Sequence, residues 1–265
     1  GILNMKKTLQ QFAPNVQIST DTILKSAEND HYKNVLWTTD VKQELPVYLG
    51  RDPENSGRPV TVMEMFEEAV NEEKENKALF IEREGQWINF TWNQYHKFAL
   101  RFAKAVISIG VEAYQTVNIL GANAPEWFFS YIGGMYACVI PVGVYLTNNS
   151  DSCSYIANHS ECGVLVVDSV EQYRKYEQRL GEFKRLKAVV IYGTTSNESI
   201  KQLLNQYVPV YSWADFLSIG SRANVDIELA NRVEMQKPGN CCDVVYTSGT
   251  TGNPKAVLLS HDNLT

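Results

Sequence analysis

The sequence predicts an α/β fold, a mostly parallel sheet flanked by helices on both faces. Two observations carry that prediction. From Thr61 onward, short β-branched runs alternate with longer runs whose apolar residues recur at helical spacing, and the connections are short. The strands also lack a polar face: Gly163-Val164-Leu165-Val166-Val167-Asp168 is apolar almost throughout, so both of its sides must be covered. The chain has 265 residues, 44% hydrophobic and 20% charged, which is enough for one large core or two small ones.

Taken in order, residues 1–60 form an irregular extension of mixed polar residues and isolated aromatics, closing on the turn-rich run from Gly50 to Pro59. Val62, Met65, Phe66, Ala69 and Val70 then mark the first helix. Ala78–Glu82 and Gln86–Phe90 read as a hairpin across Glu84-Gly85. Thr91 with Gln94 is a capping box, opening a helix through Tyr95, Phe98, Phe102, Ala105, Val106 and Ile109 that Gly110 is placed to end. Thr116–Leu120 is a strand, and Asn123 with Glu126 is read as the cap of a helix through Trp127, Phe128, Tyr131 and Met135. Val139–Tyr145 is the next strand, Ser150–Asn158 a helix, and Glu171–Phe183 a charged amphipathic helix with Glu171 and Lys175 at i,i+4 and a solvated outer face. Ala188–Tyr192 completes the regular series. Between 196 and 240 only a short helix at Ser212–Leu217 stands out from connecting structure.

The formal net charge of −6 argues against a general nucleic-acid binder. No run approaches the roughly 20 apolar residues of a membrane span; Tyr131–Leu146 comes nearest, and its glycines and Pro141 make it a buried helix running into a strand. The start Gly1-Ile2-Leu3-Asn4 has neither an initiator Met nor a signal-peptide core, so it is not expected to be a natural beginning. Cys138, Cys153, Cys162, Cys241 and Cys242 have no C-x-x-C spacing and an odd count, which suits reduced, buried thiols. His31, His96, His159 and His261 form no H-x-x-x-H pair, so no Cys/His metal site is expected.

The most informative segment is Thr247-Ser248-Gly249-Thr250-Thr251-Gly252-Asn253-Pro254-Lys255, held between the strand-like runs Asp243–Tyr246 and Ala256–Ser260. Its composition suits a loop that wraps phosphate oxygens. Gly249 and Gly252 let backbone N–H groups turn inward, the hydroxyls of Thr247, Ser248, Thr250 and Thr251 add donors, and Lys255 adds a mobile charge. It is not a Walker A loop: five positions after Gly249 stands Pro254, and Ala256–Ser260 reads as a strand where a Walker loop opens a helix.

The segment resembles the phosphate loop of the adenylate-forming superfamily of acyl-CoA synthetases, luciferases and adenylation domains. It matches that pattern except at Ala256, where the superfamily usually has Gly; the extra methyl is tolerable if φ there is negative. Gly121-Ala122-Asn123-Ala124-Pro125-Glu126-Trp127-Phe128 is similar to an Asn-x-x-Glu-Trp segment of acyl-CoA synthetases. Leu36-Trp37-Thr38-Thr39 and Val142-Gly143-Val144-Tyr145-Leu146-Thr147-Asn148-Asn149-Ser150 resemble runs of the bubblegum-type long-chain enzymes.

The resemblance implies the first part of a large N-terminal AMP-binding domain: extension 1–60, first α/β subdomain 61–240, and phosphate loop with the start of the next subdomain 241–265. It also implies a ligase that joins a long-chain fatty acid to coenzyme A with ATP and Mg2+, through an acyl-adenylate and release of diphosphate. Residues Thr247–Lys255 would hold the β,γ-phosphates, with Lys255 in a supporting role. The superfamily's adenine, magnesium and ribose motifs lie beyond Thr265, so this chain alone is expected to be catalytically silent and to bind ATP weakly. A cytoplasmic protein is expected, with any membrane association, at the endoplasmic reticulum included, peripheral. Two alternatives stay open: a ligase for another carboxylate, and a non-catalytic truncated isoform.

Overall fold

The computed structural model describes residues 37–47, 57–193, 199–200, 202–203, 207–247 and 252–265. Leu36, most of the turn-rich run and the first 36 residues lie outside the described residues. The elements are α1 (Val62–Glu73), β1 (Lys77–Arg83), β2 (Gln86–Thr91), α2 (Trp92–Ser108), β3 (Thr116–Leu120), α3 (Pro125–Tyr136), β4 (Ile140–Gly143), α4 (Ser150–His159), β5 (Cys162–Val167), α5 (Val170–Glu177), β6 (Ala188–Ile191), β7 (Val210–Ser212), α6 (Trp213–Arg222), α7 (Asp226–Glu234), β8 (Cys241–Thr247), β9 (Lys255–Ser260) and α8 (His261–Leu264).

Among the described residues β3 to β9 form a seven-stranded sheet in the order β7-β6-β5-β3-β4-β8-β9. Its neighbours run parallel except β8 and β9, which pair antiparallel in a register that sets Tyr246 opposite Ala256 and Thr247 opposite Lys255. Because side chains alternate across a strand, the apolar strands feed two cores. Val117, Ile119, Val164, Val166 and Val190 point to one face, where Phe66 of α1, Phe102 of α2, Phe129 of α3, Phe216 of α6 and Val233 of α7 cover them. Ile140, Val142, Leu165, Val167, Val189 and Ile191 point to the other, under Ile156 of α4 and Tyr173 and Tyr176 of α5. The expected fold class is therefore the observed one.

Local chemistry accounts for most element ends. The Thr91 hydroxyl accepts from the Gln94 N–H and the Gln94 side chain accepts from the Thr91 N–H, closing the expected capping box of α2. Gly110, at φ +79°, takes the left-handed position after that helix, and Glu84 and Gly85 (φ 53° and 76°) make the tight hairpin turn of β1 and β2. Four expectations need correction. Asn123 does not cap α3; the cap position falls one residue later, on Ala124, whose side chain offers no acceptor, and Pro125 with its fixed φ opens the helix. Glu126 instead takes both 2.8 Å bonds from the Arg83 guanidinium. Lys175 leaves Glu171 and donates to the Leu146 carbonyl at 2.7 Å. Finally, the stretch read as connecting structure holds β7, a longer α6 and the whole of α7.

The buried cysteines are structural. The Cys138, Cys153, Cys162, Cys241 and Cys242 thiols are free and buried, and burial raises Cys138 to about 11 and Cys162 and Cys241 to about 12. Such thiols stay protonated and unreactive near neutrality.

Candidate functional site

In an open α/β sheet, ligands bind outside the carboxyl ends of the parallel strands, where loops diverge to helices on either face. The segment singled out in the sequence leaves the carboxyl end of β8. That end lies beside the end of β4, with Val245 opposite Gly143 in the parallel ladder. Thr247 closes β8 and Lys255 opens β9, so the two are register partners at the neck of the loop, and the Thr247 hydroxyl approaches the Lys255 carbonyl at 3.5 Å. Ser248, Gly249, Thr250 and Thr251 lie outside the described residues. Gly252 has φ +96° with open space where a Cβ would project, so its glycine serves the backbone conformation. Gly252, Asn253 and Lys255 are exposed and Pro254 is half-buried.

The neck is held by anchors that the sequence did not reveal. Tyr246, immediately before the loop, is buried, and its hydroxyl lies 2.7 Å from Nδ1 of His159 at the end of α4. Burial, then the neighbouring Tyr155, pushes the Tyr246 phenol above its ordinary range, so it remains a neutral hydrogen-bonding group. At the other end of β9, Ser260 caps α8, and the fully buried His261 accepts the Val62 N–H at Nδ1 (3.2 Å), tying the strand to the start of α1. Burial lowers His261 to about 4, which keeps the ring neutral and Nδ1 available as an acceptor. Tyr246 and His159 are 87 positions apart in sequence, and no local pattern links them.

Ala256 resolves the one departure from the loop's usual pattern. It lies within β9 opposite Tyr246, and it is not among the non-glycine residues at positive φ. Its methyl packs against the second core, so the substitution is accommodated.

Asn253, Pro254 and Lys255 form one rim of a cleft of about 800 Å³ whose walls include Trp37, Tyr155, His159 and Tyr246. The geometry offers one mobile ammonium, a glycine turn and a rigid two-stranded stalk at the carboxyl edge of the sheet. Lys255 makes no ion pair with another described residue, so its charge is available to an anionic ligand. Among the described residues no group of three His, Cys, Asp or Glu side chains is arranged to hold a metal ion.

The sequence model of the AMP-binding enzyme family matches residues 66–265. Among curated proteins, the long-chain-fatty-acid–CoA ligase ACSBG2 of Gallus gallus is 37% identical over 231 residues, covering 87% of this chain and 29% of its own. The long-chain-fatty-acid–CoA ligase ACSBG1 of Mus musculus is 35% identical over 261 residues, covering 98% and 35% respectively. The chain thus spans about a third of the length of these relatives. Two solved structures share the fold. The anthranilate CoA ligase AuaEII in complex with anthranoyl-AMP aligns at TM-score 0.61 and 21% identity over 78% of this chain and 36% of its own. The long-chain-fatty-acid-CoA ligase FadD1 from Archaeoglobus fulgidus aligns at 0.59 and 18% over 82% and 38%.

Proposed function

Because the chain belongs to the AMP-binding enzyme family, we propose that it supplies the phosphate-binding part of a long-chain fatty acid–CoA ligase. In this reading the fatty-acid carboxylate attacks the α-phosphorus of ATP, diphosphate leaves, and the coenzyme A thiol then displaces AMP from the acyl-adenylate. The work falls to fatty acid and lipid metabolism in the cytoplasm. Any membrane association is peripheral, a reading supported by the absence, among the described residues, of a helix long and apolar enough to cross a bilayer.

The observation that carries the reading is the loop at the carboxyl end of β8, with its lysine at the neck. As diphosphate departs, negative charge gathers on the β- and γ-oxygens, and donors already in place stabilise it more than they stabilise bound ATP. Thr247, Ser248, Gly249, Thr250, Thr251, Gly252, Asn253, Pro254 and Lys255 are assigned to those oxygens. Lys255 gives a charge-assisted bond worth roughly 1.5–3 kcal/mol. The antiparallel stalk, fixed by Tyr246 on one strand and by His261 just after the other, limits the reorganisation the loop needs. Magnesium, when bound, would neutralise phosphate charge. Residues 61–240 act as scaffold and 241–265 as the nucleotide-contacting segment, with 1–60 an extension.

The fatty-acid assignment rests on the named activity of the curated relatives and on the Val142–Ser150 run. The test is to supply the product of the gene encoding this sequence with ATP, coenzyme A and either palmitate, benzoate or anthranilate. Palmitoyl-CoA and AMP are the expected products. Preference for an aromatic acid would replace the substrate class, and ADP formation would end the adenylation reading.

A further inference from the structure

On the first-core side of the sheet, a second cavity of about 630 Å³ opens between α2, α3 and the ends of β4 and β8. Its walls are aromatic: Tyr95 from α2, Trp127, Phe128 and Tyr131 from α3, and Tyr145 after β4. Trp127 stacks on Tyr131 with centroids 5.2 Å apart and meets Phe128 edge to face at 5.3 Å, so the rings form a continuous wall. Tyr145 is 60% exposed and stands at the mouth.

Into this wall β8 projects one carboxyl group, Asp243, which is 7% exposed and lines the cavity. Its carboxyl accepts hydrogen bonds from the Tyr131 hydroxyl and the Val244 N–H, and no described Lys, Arg or His forms an ion pair with it. Burying a carboxylate without a cation is costly, and a strand position facing a core would ordinarily be apolar. The surroundings supply what a soft organic cation needs: several aromatic side chains, whose rings attract positive charge, and one counter-charge. The same charge repels a fatty-acid carboxylate or a phosphate, so the cavity differs in chemistry from the phosphate loop. We propose that the cavity walled by Trp127, Phe128 and Tyr131, with Asp243 at its base, is a binding site for a small organic cation of the alkylammonium class.

Burial raises the Asp243 carboxyl above the usual carboxylate range, while the Tyr131 hydrogen bond opposes that rise. An alkylammonium beside it favours the ionised form, so cation binding and ionisation of Asp243 support one another.

The inference does not rest on the ligase reading, and the sample is the purified product of the gene encoding this sequence. Tetramethylammonium and choline are titrated at neutral pH while tryptophan fluorescence is followed, with 3,3-dimethylbutan-1-ol as the uncharged counterpart of choline. Saturable binding of both cations is expected, at least about tenfold tighter than the alcohol. Asp243→Asn, which keeps the shape, should weaken choline binding by about tenfold or more. The exposed mouth variant Tyr145→Ala should weaken it while leaving the circular dichroism spectrum unchanged, which guards against a folding defect in the first variant. Equal binding of choline and the alcohol, undiminished binding by Asp243→Asn with Tyr145→Ala, or no saturation by about 50 mM cation would overturn the proposal.

Discussion

At the scale of single residues, Lys255 and His261 make opposite kinds of contribution. Lys255 is exposed at the neck of the loop and has no described ionic partner, so its removal should leave the fold alone and act on phosphate chemistry. Lys255→Ala is expected to slow adenylate formation by about 10- to 100-fold, equivalent to one lost charge-assisted bond. An unchanged rate would place the ammonium in solvent. His261 is a matter of stability. Burial lowers it to about 4, below the ordinary 6.5, so the unfolded chain binds the extra proton first as pH falls. Its contribution is complete above about pH 6.5 and lost progressively toward pH 4, amounting to about 3 kcal/mol at most. Asp243, raised by burial, works in the opposite direction above its unfolded value. The comparison that isolates His261 is therefore His261→Asn, whose amide oxygen can accept the Val62 N–H without titrating. Urea unfolding from pH 7 to 4.5 should show a shallower loss of stability in the variant; parallel curves would contradict the assignment. The loop stands out in the sequence because glycines, hydroxyls and a lysine fall in consecutive positions. Tyr246 with His159, and His261 with Val62, do not, because each pair meets only after the sheet forms.

At the scale of elements, capping chemistry was legible where one side chain satisfies a neighbouring backbone group. Thr91 with Gln94 behaves as read, and Ser260 with Asn263 opens α8 in the same manner. Asn123 failed because the cap position falls to Ala124 and Glu126 is taken by Arg83, a partner 43 positions away. The missed helix α7 is held by tertiary bonds that no periodicity announces. Its Arg232 donates to the Val111 carbonyl at 3.0 Å and the Ala137 carbonyl at 3.1 Å, joining the segment before β3 to the end of α3, and its Nε pairs with Glu228 at 2.7 Å. Arg232→Met keeps the stem but strands two buried carbonyls. A loss of about 3 kcal/mol in chemical denaturation is expected, and a loss below about 0.5 kcal/mol would show that other donors replace the guanidinium.

At the scale of the whole molecule, the order of apolar strands and amphipathic helices specified a sheet covered on both faces, because an all-apolar strand has no other stable environment. Strand order, with β3 central and β4 and β5 on either side, was not legible, since strands of similar composition compete for the same positions. The sheet ends in β9, an edge strand among the described residues, where Val257 is 42% exposed. Unpaired apolar edges recruit other edges, and a lysine there opposes pairing. In the 265-residue chain, Val257→Lys should reduce self-association in sedimentation velocity while changing stability by no more than about 0.5 kcal/mol. Unchanged association would locate the sticky surface elsewhere.

On the proposed reading, the loop between β8 and β9 serves a reaction in which diphosphate leaves ATP as a carboxylate is adenylated. The most direct measurement is palmitate-dependent exchange of labelled diphosphate into ATP, without coenzyme A, by the product of the gene that encodes this sequence. Exchange should require palmitate and fall by about 10- to 100-fold in Lys255→Ala. Release of ADP and orthophosphate in place of exchange, or exchange that proceeds equally well without the lysine, would contradict that reading.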